Sequence, residues 1–109
     1  MNNIQIKPFS ANDAYYGKKT RTKELNQFRE DCFKILPRNL KIPEGKLEAF
    51  YIFGVSSKLF DCDNGVKHFQ DILQEGYEFN DRMIYEFHAK KIDVEKGKEY
   101  IKFKIMPMK

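Results

Sequence analysis

Four segments of the chain have the apolar pattern of strands, and two have the pattern of helices. Alternating apolar and polar residues are typical of a strand with one buried face, whereas recurrence every three or four residues is typical of an amphipathic helix. Residues 46–56 are nearly continuously apolar, which predicts a strand buried on both faces. The expected strands are residues 3–7, 46–56, 83–92 and 100–106, and the expected helices are residues 20–36 and 63–75, the second starting at 63 or 64.

Prolines and glycines set the expected boundaries of these elements. Pro8 closes the first strand, and Pro37 follows the first helix because the residue before a proline disfavours the helical conformation. Gly76 is the expected stop of the second helix. The sequence Glu-Lys-Gly-Lys at residues 95–98 is expected to join the last two strands as a hairpin.

The resulting order, β-α-β-α-β-β, predicts an α+β fold. We expect a single domain over residues 1–109, with a mixed or antiparallel four-stranded sheet and two helices. Unpaired backbone groups at the sheet edges favour a homodimer. No apolar run approaches the roughly 20 residues that span a bilayer, so no membrane segment is expected. Two cysteines without metal-ligand spacing favour a reduced cytoplasm.

A basic segment lies around the start of the first predicted helix. The net charge of +4 at pH 7 favours a polyanionic partner. Four cations follow Tyr15-Tyr16 with no acid among them, and such a segment can hold the phosphates of a nucleic acid. These residues are Lys18, Lys19, Arg21 and Lys23. A solvated helix start is the alternative interpretation.

Acidic residues are gathered around the second predicted helix. In the motif Asp-Cys-Asp-Asn at residues 61–64, an extended backbone would project both aspartates to the same side. Lys67 and Asp71 follow Asp63 at i+4 and i+8, and therefore share its helix face. Asp81 comes after the helix, where the chain turns back. Because Mg²⁺ binds carboxylate oxygens and keeps several waters, this pattern predicts metal-dependent phosphoryl transfer.

Structural explanations also exist for these residues. Asp63 can serve as a helix N-cap, and Lys67 can form an i,i+4 ion pair with Asp63 or Asp71. A calcium-binding EF-hand is excluded because the required turn glycine and final glutamate are missing. His68 and His88 have no partner at a diagnostic spacing, so we expect surface or sheet positions for them.

The acidic motif resembles the core of the RusA family of Holliday-junction resolvases, which has Asp-x-Asp-Asn, a lysine, an aspartate, a glycine and an Asp-Asp pair. The corresponding residues here are Asp61-Cys62-Asp63-Asn64, Lys67, Asp71, Gly76 and Asn80-Asp81. The resemblance extends to the front of the chain, where Pro8, Ser10, Asn12 and Tyr16 precede the basic segment. Two positions differ: Phe60 stands where an arginine can precede the first acid, and Asn80 replaces the first aspartate of the pair.

The resemblance implies a homodimeric, Mg²⁺-dependent crossover junction endodeoxyribonuclease, with Mn²⁺ as an alternative metal. Such an enzyme resolves four-way junction DNA by symmetric paired nicks during recombination and repair. The implied metal ligands are Asp61, Asp63 and Asp81, with Lys67 as a further catalytic residue. Asp71 and Asn80 are expected to support them, Asp71 by orienting Lys67. No nucleotide cofactor is expected, and the expected location is the cytoplasm of a bacterium or of a phage's host.

Two other functions stay open. Asn80 contributes no negative charge, which keeps a non-catalytic protein that binds branched DNA as an alternative. An RNA-binding or adaptor-binding domain with an incidental acidic cluster is the third interpretation, and it predicts neither metal dependence nor a preference for junctions.

Overall fold

The structure is a computed structural model and describes residues 1–9, 15–16 and 20–109. Its elements are β1 (Asn2–Ile4), β2 (Tyr15–Tyr16), β3 (Thr20–Arg21), α1 (Lys23–Ile35), β4 (Leu47–Val55), α2 (Cys62–Tyr77), a 3₁₀ turn (Asp81–Met83), β5 (Ile84–Asp93) and β6 (Tyr100–Pro107). The predicted α+β class and the order of the main elements are confirmed. A small ribbon formed by β2 and β3, which the sequence did not predict, adds to them.

The main sheet is mixed and has the strand order β1-β6-β4-β5. β4 pairs in parallel with β5 and antiparallel with β6, and β1 pairs antiparallel with β6. The predicted hairpin of the last two strands is therefore wrong, because β4 lies between them. Residues 95–98 do form a turn, in which the Lys98 N–H donates to the Glu95 carbonyl and Gly97 has a φ of 94°. This turn carries the chain past the end of β4 instead of closing a hairpin.

Both helices pack against one face of the sheet. Alternate residues of β4 point to this face and are buried: Leu47, Ala49, Tyr51, Phe53 and Val55. The last four share a core with Phe28 and Cys32 of α1, Phe69 and Ile72 of α2, and Ile101 and Phe103 of β6. This face of the sheet holds the hydrophobic core.

The opposite face of the sheet is covered by no helix of the described chain. Phe50 and Ile52 of β4 point there and are only partly buried, so the predicted burial of this strand on both faces is wrong. Helices on a single face leave the other face to water, even where the strand is apolar on both sides. We call this surface the open face; it contains Glu48, Phe50 and Ile52 of β4, Glu86, His88 and Lys90 of β5, and Tyr100, Lys102 and Lys104 of β6.

The helix ends differ slightly from the expected ones. α2 begins at Cys62, and its N-cap is Asp61 rather than Asp63. Gly76 does not end this helix, because α2 continues to Tyr77 and Glu78 takes the left-handed conformation, with φ of 53°. A Cβ at Gly76 would lie 3.4 Å from the Phe33 ring, so the glycine sits against α1. None of the described helices combines the length and apolarity needed to cross a membrane.

Candidate functional site

The acidic motif forms the amino end of α2. Asp61 Oδ1 accepts a hydrogen bond from the Asp63 N–H at 3.0 Å, and Asp61 Oδ2 accepts one from the Asn64 side-chain amide at 3.1 Å. Negative charge at this end of a helix is stabilised by the helix dipole. Capping therefore explains part of the role of Asp61, but both aspartates are exposed and their oxygens keep lone pairs free for a further ligand.

Asp63, Lys67 and Asp71 share an exposed face of α2, as predicted, while Val66 and Phe69 are buried on the opposite side. Within the described chain, neither Asp63 nor Lys67 forms an ion pair, so the i,i+4 pair that could have explained Lys67 is not made. An ammonium group and two carboxylates are thus presented to solvent within the first two turns of one helix. This arrangement can bind a hard cation and an anionic substrate together.

Lys91 of β5 supports this end of the helix, a role that no sequence pattern predicts. Its Nζ donates to the carbonyl oxygens of Lys58 at 3.0 Å and Phe60 at 2.8 Å, just before Asp61. Burial raises the pKa of the Cys62 thiol, and the charge of Lys91 opposes that shift. Lys91 reaches this position because β5 pairs in parallel with β4, which sets Lys91 opposite Phe53.

Farther along the same exposed face, Asp71 is tied to α1. Its Oδ2 accepts a hydrogen bond from Arg29 Nη1 at 3.2 Å, and Arg29 also forms an ion pair with Glu75. The Arg29 side chain is only 7% exposed, and its guanidinium lies 5.6 Å from the centre of the Phe33 ring. The described partner of Asp71 is therefore Arg29, and its support of Lys67 stays a prediction. The sequence could have indicated a role for Arg29, because this charged residue interrupts the apolar stripe of α1.

Asp81 lies beside the carboxyl half of α2. Its N–H donates to Gln74 Oε1 at 2.7 Å. Burial raises the pKa of Tyr51, and the negative charge of Asp81 raises it further. The Tyr51 hydroxyl donates to Gln70 Oε1 at 2.8 Å. Gln74 comes eleven residues after Asp63 in α2, which is about 16 Å along the axis at the usual rise per residue.

The three predicted metal ligands do not converge within one copy of the described chain. Among the described residues, a single group of three His, Cys, Asp or Glu side chains has its ligand atoms within 4.8 Å of one another. That group is Glu48, Glu86 and His88, on the open face. Asp61 and Asp63 are neighbours at the amino end of α2, and Asp81 is not part of their group. A site that uses all three needs a second copy or a movement of the segment around Asp81.

An open groove of about 800 Å³ surrounds Asp81, and Asn80 lies in it as well. Asn80 Oδ1 accepts from the Arg82 N–H at 2.9 Å, so its amide caps the 3₁₀ turn. Arg21 also lines the groove, so one of the predicted DNA-binding residues shares this groove with Asp81. Lys23 is exposed at the first position of α1. Lys18 and Lys19 lie outside the described residues.

No family model matches the chain, and no curated protein matches it. Any assignment of function therefore depends on the residues of this chain and on their arrangement. The exposed acids and lysine at the amino end of α2 are its most specific chemical feature.

Proposed function

We propose that the protein is a Mg²⁺-dependent endodeoxyribonuclease of the RusA type, which resolves four-way DNA junctions by paired nicks during recombination and repair. The observation that carries this proposal is the exposure of Asp61, Asp63 and Lys67 on the first two turns of α2, while the opposite side of the helix is buried in the core. Capping and the helix dipole account for negative charge at this end of α2, but they do not account for Lys67, whose ammonium shares the exposed face with Asp63 and forms no ion pair within the described chain.

The donor set fits a hard cation, since it consists of exposed carboxylate oxygens on a rigid helix start. Asp61 and Asp63 would hold Mg²⁺, with Mn²⁺ as the alternative, and the ion would supply an activated water and charge stabilisation at the phosphate. Lys67, one turn further along α2, would neutralise negative charge that develops on the phosphate oxygens. Lys91 would keep the turn that leads into Asp61 in place through its bonds to the carbonyl oxygens of Lys58 and Phe60.

Asp81 joins this site only if a second copy or a local movement brings it to the amino end of α2. A homodimer also suits the substrate, because a four-way junction presents two strands related by a twofold axis. Arg21 and Lys23, together with Lys18 and Lys19, would hold the DNA backbone. The reaction would take place in the cytoplasm of a bacterium or of a phage's host.

A non-catalytic protein that binds branched DNA is the second candidate. Asn80 in place of an aspartate favours it, as does the separation of Asp81 from the other two acids. Such a protein would bind junctions without a metal and would leave them uncut.

The deciding experiment is cleavage of a labelled four-way junction beside a linear duplex of the same sequence, with Mg²⁺ and with a chelator. The proposed nuclease gives symmetric nicks in the junction alone and only with metal. Tight junction binding without nicks in Mg²⁺ or Mn²⁺ would establish the second candidate instead. Absence of both binding and cleavage would reject both and leave the RNA-binding or adaptor interpretation.

A further inference from the structure

A second set of metal-ligand side chains lies on the open face, on the other side of the sheet from the helices. Glu48 of β4 and Glu86 of β5 are direct partners in the parallel register, and His88 follows Glu86 on the same face. We propose that Glu48, Glu86 and His88 form a binding site for a divalent transition metal of the zinc class. This proposal does not depend on the nuclease function.

The geometry is close to what a metal requires. His88 Nε2 lies 3.0 Å from Glu48 Oε2 and 3.7 Å from Glu86 Oε1. With zinc-to-ligand distances of about 2.0 Å, tetrahedral ligand atoms lie about 3.3 Å apart. The two observed distances bracket this value, and all three ligand atoms lie within 4.8 Å of one another. Small side-chain rotations would complete the site without any change in the backbone.

Charge gives an independent reason to expect a cation here. Like charges placed directly opposite on neighbouring strands destabilise a sheet. Glu48 and Glu86 are such a pair, and the Glu48 side chain is only 23% exposed. No described lysine or arginine forms an ion pair with either glutamate, although Lys90, Lys102 and Lys104 lie on the same face. Among the described residues, the imidazole of His88 is therefore the one group that lies within ion-pair distance of these two carboxylates.

The sheet also holds the imidazole in position. The Phe50 ring stacks on the His88 ring, with centroids 4.9 Å apart and planes 13° from parallel. This stacking fixes the ring plane while Nε2 remains directed at the two glutamates. Ligands on rigid strands, with one ring held by a neighbour, lose little freedom when a metal binds.

The ligand types identify the class of metal. Imidazole nitrogen suits Zn²⁺, Co²⁺ and Ni²⁺, whereas Mg²⁺ and Ca²⁺ prefer oxygen ligands alone. Three protein ligands leave at least one coordination position for water or for a group from a partner. The open face exposes Glu86 and His88 by about half, so such a group can reach the metal.

The test is a titration of the full-length protein with ZnCl₂ by isothermal calorimetry, together with the visible absorption of the Co²⁺ complex. We expect one high-affinity site, weakened at least tenfold in His88→Gln and in Glu86→Gln, because each loses a direct ligand. Phe50→Leu should still bind Zn²⁺, and its affinity should fall less than in the two ligand variants, because it removes only the ring that stacks on His88. Circular dichroism checks that each variant is folded, which is expected since both ligands are exposed.

Two controls separate this site from the acids of α2. Glu95→Gln removes an exposed glutamate paired only with Lys98 and should leave Zn²⁺ affinity unchanged. The double variant Asp61→Asn with Asp63→Asn should also bind Zn²⁺ normally, while losing the proposed nuclease activity. Equal affinity in wild type and His88→Gln, loss of binding in the α2 double variant alone, or no Zn²⁺ binding by the wild type would each overturn the proposal.

Discussion

The two halves of α2 carry the same kind of side chain on the same exposed face, but they use it differently. In the amino half, Asp63 and Lys67 form no ion pair within the described chain, and the aspartate remains open to solvent. In the carboxyl half, Asp71 and Glu75 both contact the buried guanidinium of Arg29. The amino half is therefore available for a ligand, whereas the carboxyl half joins two helices.

The difference shows that helix-face periodicity alone does not assign a role to a carboxylate. Asp63 and Asp71 are two turns apart and lie on the same helix face, so the face pattern alone does not distinguish them. What separates them is the neighbouring element: α1 supplies a cation to the carboxyl half and none to the amino half. If this interpretation is correct, substitutions in the two halves should affect different properties.

The largest expected effect is the loss of cleavage in Asp63→Asn. The amide keeps the shape of the side chain but removes the charge that would hold Mg²⁺, so we expect the junction cleavage rate to fall by about 10²–10³-fold. Junction binding should remain, because it depends on the basic residues. The measurement is single-turnover cleavage of a labelled junction in Mg²⁺, beside binding measured in chelator.

Asp71→Asn is the matched control, since it makes the same chemical change on the same helix face. Because Asp71 contacts Arg29 and not the proposed metal, this variant should lose much less cleavage than Asp63→Asn and should lose thermal stability instead. Equal losses of cleavage in the two variants would abolish the distinction between the halves of α2, and unaltered cleavage in Asp63→Asn would remove Asp63 from the site.

Lys67→Met should have the next largest effect on cleavage. Methionine keeps the apolar stem and removes the ammonium, so the rate should fall by about tenfold to 100-fold if Lys67 stabilises charge at the phosphate. Stability should change little, because Lys67 forms no ion pair in the described chain. Single-turnover rates at saturating DNA test this, with Lys34→Met as the control. A lower affinity with an unchanged maximal rate would give Lys67 a binding role only.

Arg29→Met should affect stability and spare the chemistry. The substitution removes two charge-assisted contacts and the packing over Phe33. Asp71 and Glu75 are more than half exposed and can regain water, so we expect a loss of about 1–2 kcal/mol in the free energy of unfolding. Urea denaturation measures it. A stability equal to that of wild type would show that Arg29 does not join the helices.

The sequence predicted the elements better than their arrangement. Periodicity located both helices and all four main strands within a few residues, because each element depends on its own apolar pattern. The pairing of β5 was missed because the turn at residues 95–98 suits a hairpin equally well, and only the α2 crossover brings β5 parallel to β4. Strand pairing is a long-range property, and local turn chemistry does not decide it.

The same limit applies to the candidate sites. Asp61, Asp63 and Lys67 are close in sequence, so one helix start brings them together and the motif could be recognised. Lys91 depends on the β4–β5 register and had no such signal. Glu48 and His88 lie forty residues apart and meet only across this strand pair. Both histidines were expected at surface or sheet positions: this is confirmed for His88, which lies in β5, and wrong for His68, which is buried in α2. The ligand partners of His88 could not be predicted.

The smallest expected effect concerns Tyr51, beside Asp81 at the carboxyl half of α2. Tyr51→Phe removes the hydrogen bond to Gln70, which should cost about 0.5–1.5 kcal/mol near neutral pH. Burial and the charge of Asp81 raise the pKa of Tyr51 in the folded protein. The unfolded chain therefore loses this proton first, and the advantage of tyrosine over phenylalanine should shrink as the pH rises above the ordinary tyrosine pKa of about 10.

Urea denaturation at pH 8 and pH 11 measures the difference, with the exposed Tyr85→Phe as the control. A gap that stays constant with pH would mean that the pKa of Tyr51 is not raised in the folded protein, and therefore that its hydroxyl is not shielded from water.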